Sequence, residues 1–345
     1  MKRAAPQLQR RIGVADFTLI TIGAVIGSGI FRNPAVAAER AHVPALIMAC
    51  WILGGVMALV GAFVFAELAS RRALDGGLYG YMRDAYSPLV GFLLAWVSLL
   101  IVSTGATAAS AVLFAEYALP LLHAHADSRV VAASAIGSVT LINVLGVRQG
   151  STWQNILVTL KVFGIAGIIA GGLIAHPLFA HTALSPTPFT TPLDWIGAAG
   201  VAMLPVLFSY MGFQTSTYVT RETRDPRTTI PRGQIYGVAI VTAIYLLVNV
   251  ASLRTLGAAA LGATTTPAAD VMGAAFGNTG RLVVSTVIAT STLGYMSTAV
   301  LCAPRLYFQM ADDDLFFKQI AWISPKTHVP VLAIVLHGAI AAIIA

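Results

Sequence analysis

Charged residues are scarce in this sequence. Only 10% of its 345 residues are charged, while 57% are hydrophobic, and an average soluble domain has roughly 25% charged residues. A soluble globule of this length needs a charged exterior, which this composition cannot supply. Cysteine is scarce as well, and because Cys50 and Cys302 both fall inside apolar runs, a disulfide framework is excluded. The shortage of charge indicates a chain whose exterior faces lipid.

The charge that is present is mostly positive, with a formal net charge of +7. The basic residues are scattered through short loops and form no Lys/Arg-rich block, so we exclude a nucleic-acid partner. A cleavable signal peptide is excluded too, because the first apolar run lacks a small-residue cleavage site and many further runs follow it. The positive charge is better explained by membrane orientation.

Nine apolar runs follow one another along the chain. They lie at roughly 14–31, 44–66, 88–115, 130–147, 156–175, 195–220, 233–253, 282–304 and 329–345. A helix needs about 20 such residues to cross the hydrocarbon core. Eight runs are complete enough to span the membrane, and the ninth is still apolar at Ala345. The pattern predicts an all-α polytopic membrane protein, with the lipid bilayer as its surroundings.

The loop charges predict the orientation. A cytoplasmic N-terminus puts fifteen of the 21 Lys and Arg residues on the cytoplasmic side and five on the opposite side, with Lys161 inside the fifth run. Such a bias obeys the positive-inside rule. We therefore expect a multi-pass protein of the plasma membrane, and in a bacterium of the inner membrane.

Two runs carry residues that interrupt helices. The first holds Gly27, Ser28 and Gly29, and the sixth holds Pro205 followed by residues 208–213 (FSYMGF). An isolated Gly-x-Gly is usually a packing seam, but a second interrupted span five spans after the first favours inverted halves around a midplane site. Free N–H groups at one half-helix end and free carbonyls at another suit a zwitterion, which predicts an amino acid substrate.

Five segments resemble the amino acid–polyamine–organocation transporter superfamily. They are residues 23–31 (GAVIGSGIF), 65–68 (FAEL), 76–81 (GGLYGY), 222–231 (ETRDPRTTIP) and 303–308 (APRLYF). The sequence is most similar to the branch of L-type exchangers and bacterial amino acid permeases. The resemblance implies a five-plus-five inverted-repeat fold with helices one and six broken, and secondary transport of neutral amino acids without a cofactor.

The resemblance also implies a domain plan and a binding site. Residues 1–345 form one transporter domain, with a first repeat at about 14–175 and a second, incomplete repeat at about 195–345. The backbone of Gly27, Ser28 and Gly29 is expected to hold the substrate carboxylate. No metal site is expected, because His123, His125, His176 and His181 match no helical metal pair.

By the same resemblance, carbonyls near Val25, Phe208 and Ser209 would accept the substrate ammonium. The ring of Phe208 would lie over the substrate as a gate, and Gly212 would leave room for the substrate side chain. The chain departs from the family at two cytoplasmic positions. Arg221-Glu222 stands where members have two acids, and residues 311–314 (ADDD) replace an Arg-Asp-Gly run.

Lys161 is the charge that lies deepest in a predicted span, where an ammonium costs about 2.5–3.5 kcal/mol. One interpretation is a lysine that snorkels to the cytoplasmic surface. The other, which the resemblance supports, is a lysine that donates to the unwound backbone of helix one in place of a sodium ion. There it would couple transport to protons, although some exchangers carry the same lysine without such coupling.

Three other functions can be weighed. A membrane enzyme would need convergent acids, histidines or a nucleophile, yet His337 is the only histidine in a predicted core, so we predict no enzyme. A channel could also use broken helices, and saturable, stereoselective uptake would exclude it. Family members have about twelve helices, so the chain could be a truncated permease, and we expect residues 1–345 alone to transport poorly.

Overall fold

A computed structural model describes residues 8–72, 74, 76–122, 126–175 and 189–345. Within these ranges the chain is helical, and a single parallel bridge pairs Ile12 with Thr223. The thirteen α-helices are α1 (Val14–Val25), α2 (Gly29–Ala41), α3 (Pro44–Arg71), α4 (Leu78–Ala85), α5 (Pro88–Val97), α6 (Ser103–Leu121), α7 (Ser128–Val144), α8 (Val147–Ile174), α9 (Pro192–Tyr210), α10 (Pro226–Ala263), α11 (Pro267–Cys302), α12 (Pro304–Asp312) and α13 (Val331–Ile344).

Proline sets the start of many of these helices. It occupies the first helical position of α3, α5, α9, α10, α11 and α12. At that position the missing N–H would have had no intrahelical acceptor, and the fixed φ already suits a helix. Side-chain caps also mark the starts of α5, α7 and α9, where Ser87, Asp127 and Thr191 accept from backbone N–H groups of the first turn.

Six helices in the described ranges are long and apolar enough to cross a membrane, and the bent pair α1 and α2 makes a seventh span. The remaining two predicted runs are shorter apolar helices, α7 with 17 residues and α13 with 14. This confirms an all-α polytopic architecture. The start of the fifth run was predicted too late, because α8 begins at Val147 rather than at residue 156.

The core forms around the first broken helix. α1 packs against α10, α8 and α11, while α2 packs against α9 and α10. Small residues allow the close approaches: a Cβ at Gly23 of α1 would lie 2.8 Å from Val158 of α8, and one at Gly54 of α3 would lie 2.5 Å from Val206 of α9. The break between α1 and α2 is thereby surrounded by four other helices.

Candidate functional site at two helix breaks

The first span is broken where the glycines predicted it. α1 ends at Val25, α2 begins at Gly29, and their axes differ by 47°. The N–H of Gly27 donates to the carbonyl of Val25 at 2.9 Å, whereas the N–H groups of Ser28 and Gly29 have no acceptor among the described residues. These two donors lie at the N-terminus of α2, which is the positive end of its dipole.

The sixth predicted span is interrupted as well. α9 ends at Tyr210, and after two residues a 3-10 helix continues from Phe213 to Glu222. Between them Gly212 has a φ of +114°, a conformation that favours glycine. The last carbonyls of α9 are thereby released from α-helical pairing.

The two breaks touch each other. A Cβ at Gly212 would lie 2.3 Å from the carbonyl oxygen of Ala24 and 3.5 Å from the Cα of Val25. In this conformation the space beside Gly212 is occupied by the backbone of helix one rather than by a substrate side chain. The glycine is therefore required for the contact between the two broken helices.

Tyr245 of α10 joins the breaks by hydrogen bonds. Its hydroxyl lies 3.1 Å from the carbonyl oxygen of Ser209 and 3.3 Å from that of Val25. These are two of the carbonyls that the resemblance assigns to a substrate ammonium. Tyr245 was not among the predicted site residues, although a tyrosine inside an apolar span signals a hydroxyl that needs a buried partner. Its ring packs on Trp51 and Tyr210, with centroids 5.6 and 5.0 Å away.

Lys161 lies at the first break. Its side chain is completely buried, and Nζ donates to the carbonyl of Ile26 over 2.5 Å. Gly294 of α11 leaves the space for it, since a Cβ there would lie 3.3 Å from Cε of Lys161. A neighbouring carbonyl, that of Gly27, accepts from Ser291 of α11 over 3.4 Å. The snorkelling interpretation is therefore wrong for this conformation, because the ammonium points into the bundle.

The predicted residues on α9 differ in their surroundings. Ser209 is buried, and its hydroxyl donates to the carbonyl of Pro205 over 2.8 Å. Asn33 of α2 donates from Nδ2 to the same hydroxyl oxygen over 2.7 Å. Phe208 is 70% exposed, so its ring is uncovered in this conformation, and its role as a gate stays a prediction.

The sequence profile described as amino acid permease matches residues 12–345. The chain belongs to the amino acid permease family. It is 30% identical to b(0,+)-type amino acid transporter 1 of Homo sapiens, over 97% of this chain and 70% of the relative. It is also 30% identical to the serine/threonine exchanger SteT of Bacillus subtilis, over 97% of this chain and 76% of the relative.

A further relative is the large neutral amino acids transporter small subunit 2 of Homo sapiens. It is 29% identical, over 95% of this chain and 62% of the relative. The family and these relatives are transporters and not enzymes, which agrees with the prediction of no enzyme. The likeness to L-type exchangers and bacterial permeases is confirmed.

The two departures of this permease from the family pattern face each other. Arg221 follows the second break, and its Nη2 lies 2.9 Å from a carboxylate oxygen of Asp312 at the end of α12. Next to them Glu222 accepts two hydrogen bonds, 3.0 and 3.1 Å long, from Arg305. Both partners of this second pair are buried, with side chains 0% and 2% exposed. These ion pairs tie the end of the second broken helix to α12.

A second polar cluster lies beside these pairs. Arg83 of α4 pairs with Asp313, which also accepts a 2.8 Å hydrogen bond from the hydroxyl of Tyr79. Burial, and then this hydrogen bond, raises the pKa of Tyr79 well above its usual value, so the hydroxyl remains a donor at neutral pH. In the described ranges no group of three or more His, Cys, Asp or Glu residues could hold a metal ion. The four histidines that were considered as metal ligands lie outside the described ranges: His123, His125, His176 and His181.

Proposed function

We propose that this permease is a secondary transporter of neutral amino acids that works by alternating access across the plasma membrane. Its relatives support this substrate class, because their names refer to serine and threonine and to large neutral amino acids. The transport mode is either exchange or proton symport. Both modes use a single site that is open to one side of the membrane at a time.

The observation that carries the proposal is the contact between the two breaks. Within the described ranges the N–H groups of Ser28 and Gly29 have no acceptor at one half-helix end, and they suit a carboxylate. Because the N–H of Gly27 is already engaged by Val25, Gly27 contributes its lack of a side chain rather than a donor. Both donors of the carboxylate site are therefore backbone groups, which can bind the carboxylate of any amino acid.

The ammonium of the substrate would bind at the carbonyls of Val25, Phe208 and Ser209. Two of these accept the hydroxyl of Tyr245, and each carbonyl oxygen has a second lone pair. Tyr245 would thus hold the two acceptors at a fixed separation. The carbonyl of Ser209 would offer its second lone pair to the substrate, whereas that of Val25, which also accepts the N–H of Gly27, would exchange one of its two donors for the ammonium. In a conformation closed to the outside, Phe208 would cover this site.

The five-plus-five inverted repeat is part of the same proposal. The bent pair α1 and α2 would correspond to α9 with the following 3-10 helix, in halves at about 14–175 and 195–345. A pair of interrupted spans in corresponding positions is typical of transporters with a midplane site. The excess of Lys and Arg on one side supports a cytoplasmic N-terminus.

Lys161 is the proposed coupling residue. Its ammonium is the one side-chain cation in hydrogen-bond contact with the first break within the described ranges. If it gives up its proton during the cycle, the carbonyl of Ile26 keeps only a weaker, uncharged donor, and the inner part of helix one is held less tightly. This would couple movement of α1 to proton transfer, and an exchanger would use the same contact without proton release.

Binding and exchange test the proposal together. Purified protein is incubated with tritiated serine, leucine, lysine and glutamate, and bound label is measured at equilibrium. We expect saturable binding of the L-forms of the neutral substrates, displaced by neither D-form. The protein is then placed in liposomes loaded with unlabelled substrate, with and without a proton gradient. Linear, non-saturating flux would indicate a channel, and no specific binding of any of the four would contradict the proposal.

A further inference from the structure

Pro205 leaves a gap in the hydrogen bonds of α9. Proline has no N–H, so the carbonyl four residues earlier, that of Val201, loses its intrahelical donor. Arg40 of α2 supplies a replacement, because its Nη1 donates to the oxygen of Val201 over 3.0 Å. A side chain from the first broken helix thus fills the gap in the second.

Arg40 is committed to this carbonyl. Its side chain is half-buried, and the described residues include no acidic partner for it. Arginine usually binds carboxylates through a fork of two parallel bonds, so a single bond to a main-chain carbonyl needs a specific reason. The proline gap gives one, since an unpaired carbonyl in an apolar setting is costly.

A second contact from the same helix adds to the first. Asn33 lies seven positions before Arg40 on α2 and donates to the carbonyl of Pro205 over 3.1 Å, as well as to Ser209. The acceptors on α9 are Val201, Pro205 and Ser209, which repeat at every fourth position. Such residues share one face of a helix, so α2 and α9 are joined along a common seam.

We propose that Arg40 is a positioning residue, which replaces the hydrogen bond removed by Pro205 and fixes the register of α2 against α9. The inference rests on the proposed function, because α2 begins with the donors for the carboxylate and α9 ends with the carbonyls for the ammonium. Their register sets the distance between the two halves of the site. It also makes the two outer half-helices one body that moves as a unit.

An alternative role for Arg40 is electrostatic. It lies in the last turn of α2, where a cation interacts favourably with the helix dipole. That role depends on charge alone and is indifferent to whether residue 205 is proline. Replacing Pro205 therefore separates the two roles.

The test is a double-mutant cycle with a matched control. Arg40→Ala and Pro205→Ala are made singly and together, and Arg32→Ala removes an exposed arginine of the same helix that makes no hydrogen bond or ion pair in the described structure. Melting temperature in detergent is measured for each variant. Tritiated L-serine and L-leucine are used separately to measure KM and the maximal rate of exchange.

We expect Arg40→Ala to lower the melting temperature and to raise KM about tenfold, as for loss of a charge-assisted hydrogen bond, with a smaller change in the maximal rate. In the Pro205→Ala background the same substitution should have little effect on either quantity, because residue 205 then donates its own N–H to Val201. Arg32→Ala should behave like the parent.

Two results would overturn the inference. One is an equal fall in melting temperature and an equal rise in KM from Arg40→Ala in both backgrounds, which would assign Arg40 a role independent of the proline gap. The other is a change in melting temperature and KM from Arg32→Ala that equals the change from Arg40→Ala, which would assign the effect to charge. The melting-temperature cycle needs no transport, so it tests the contact even if neither amino acid is exchanged. Failure of the proposed function would appear instead as an absence of exchange in the parent.

Discussion

A buried ammonium in a membrane bundle needs acceptors and space, and Lys161 has both, in the carbonyl of Ile26 and beside Gly294. We predict that Lys161→Ala loses most exchange while the protein is still inserted and expressed. Lys161→Arg should give no rescue, because a planar guanidinium cannot replace a compact point charge in the space beside Gly294. Uptake into proteoliposomes and expression in membranes are measured in parallel.

Lys318→Ala is the control for that prediction, because Lys318 is exposed and its ion-pair partner in the described part of the chain is the exposed Asp314. It should exchange like the parent. Near-normal exchange by Lys161→Ala, with unchanged pH dependence, would refute a coupling role for the buried lysine.

Glu222 provides a second prediction at the residue scale. Replacing it by alanine leaves the buried Arg305 without its carboxylate, and breaking a buried pair in this way costs about 3–5 kcal/mol. We expect Glu222→Ala to reduce yield and melting temperature sharply. Glu67→Ala breaks an exposed pair with Arg71 and should change little, because such pairs contribute little to stability. Equal melting temperatures for the two variants would contradict the importance of burial.

The residues that the sequence predicted and those it missed differ in a physical way. Gly27 and Gly29 could be predicted to break a helix, because a glycine acts through its own backbone. Tyr245 and Arg40 could not be assigned, because their partners lie in other helices, far along the chain. The contact of Lys161 with helix one became predictable only through the family resemblance.

At the scale of the helices, the proposed site depends on the close contact between the breaks. We predict that Gly212→Ala is strongly destabilising, because the new methyl would lie 2.3 Å from the Ala24 carbonyl and the residue would keep a φ of +114°. Gly257→Ala is the matched variant: its φ is +74°, but its Cβ would meet open space. It should carry only the cost of its backbone conformation, φ 74° and ψ 167°, a region that only glycine adopts readily, which is about 1–3 kcal/mol.

The measurement is the melting temperature of both variants beside the parent, with exchange as a second readout. Gly212→Ala should melt well below Gly257→Ala and should lose exchange. If the two variants melt together, the approach of α9 to helix one is not as close as described, and the site would need another arrangement.

Helix boundaries show where sequence reasoning about elements ends. Hydropathy places the centres of the nine predicted runs within helices, yet α8 starts well before its apolar run, with residues 147–155 continuing as polar helix. Among these polar residues Gln154 donates to the carbonyl of Leu19 over 3.1 Å, and Asn155 donates to Asp16 over 2.7 Å. Tertiary contacts with α1 stabilise this extension, and hydropathy cannot detect them.

For the whole molecule, composition predicted the all-α membrane architecture because so few charges cannot cover a soluble protein. It was harder to predict which spans pack against each other, because apolar faces that pack on protein and those that face lipid have similar composition. The ion pairs of α12 with the end of the second break were unforeseen for this reason. They connect residues 221–222 with 305–312, which the sequence had marked only as departures from the family.

One measurement tests the central claim, that the backbone at the first break binds the amino acid. Equilibrium binding of tritiated L-serine and L-leucine is compared between the parent, Gly29→Val and Gly167→Val. A Cβ at Gly29 would lie 3.1 Å from Asn33 and 3.4 Å from Ser209, whereas one at Gly167 would meet open space. The account predicts that Gly29→Val stays folded and loses binding while Gly167→Val binds like the parent. Undiminished binding by Gly29→Val would contradict it.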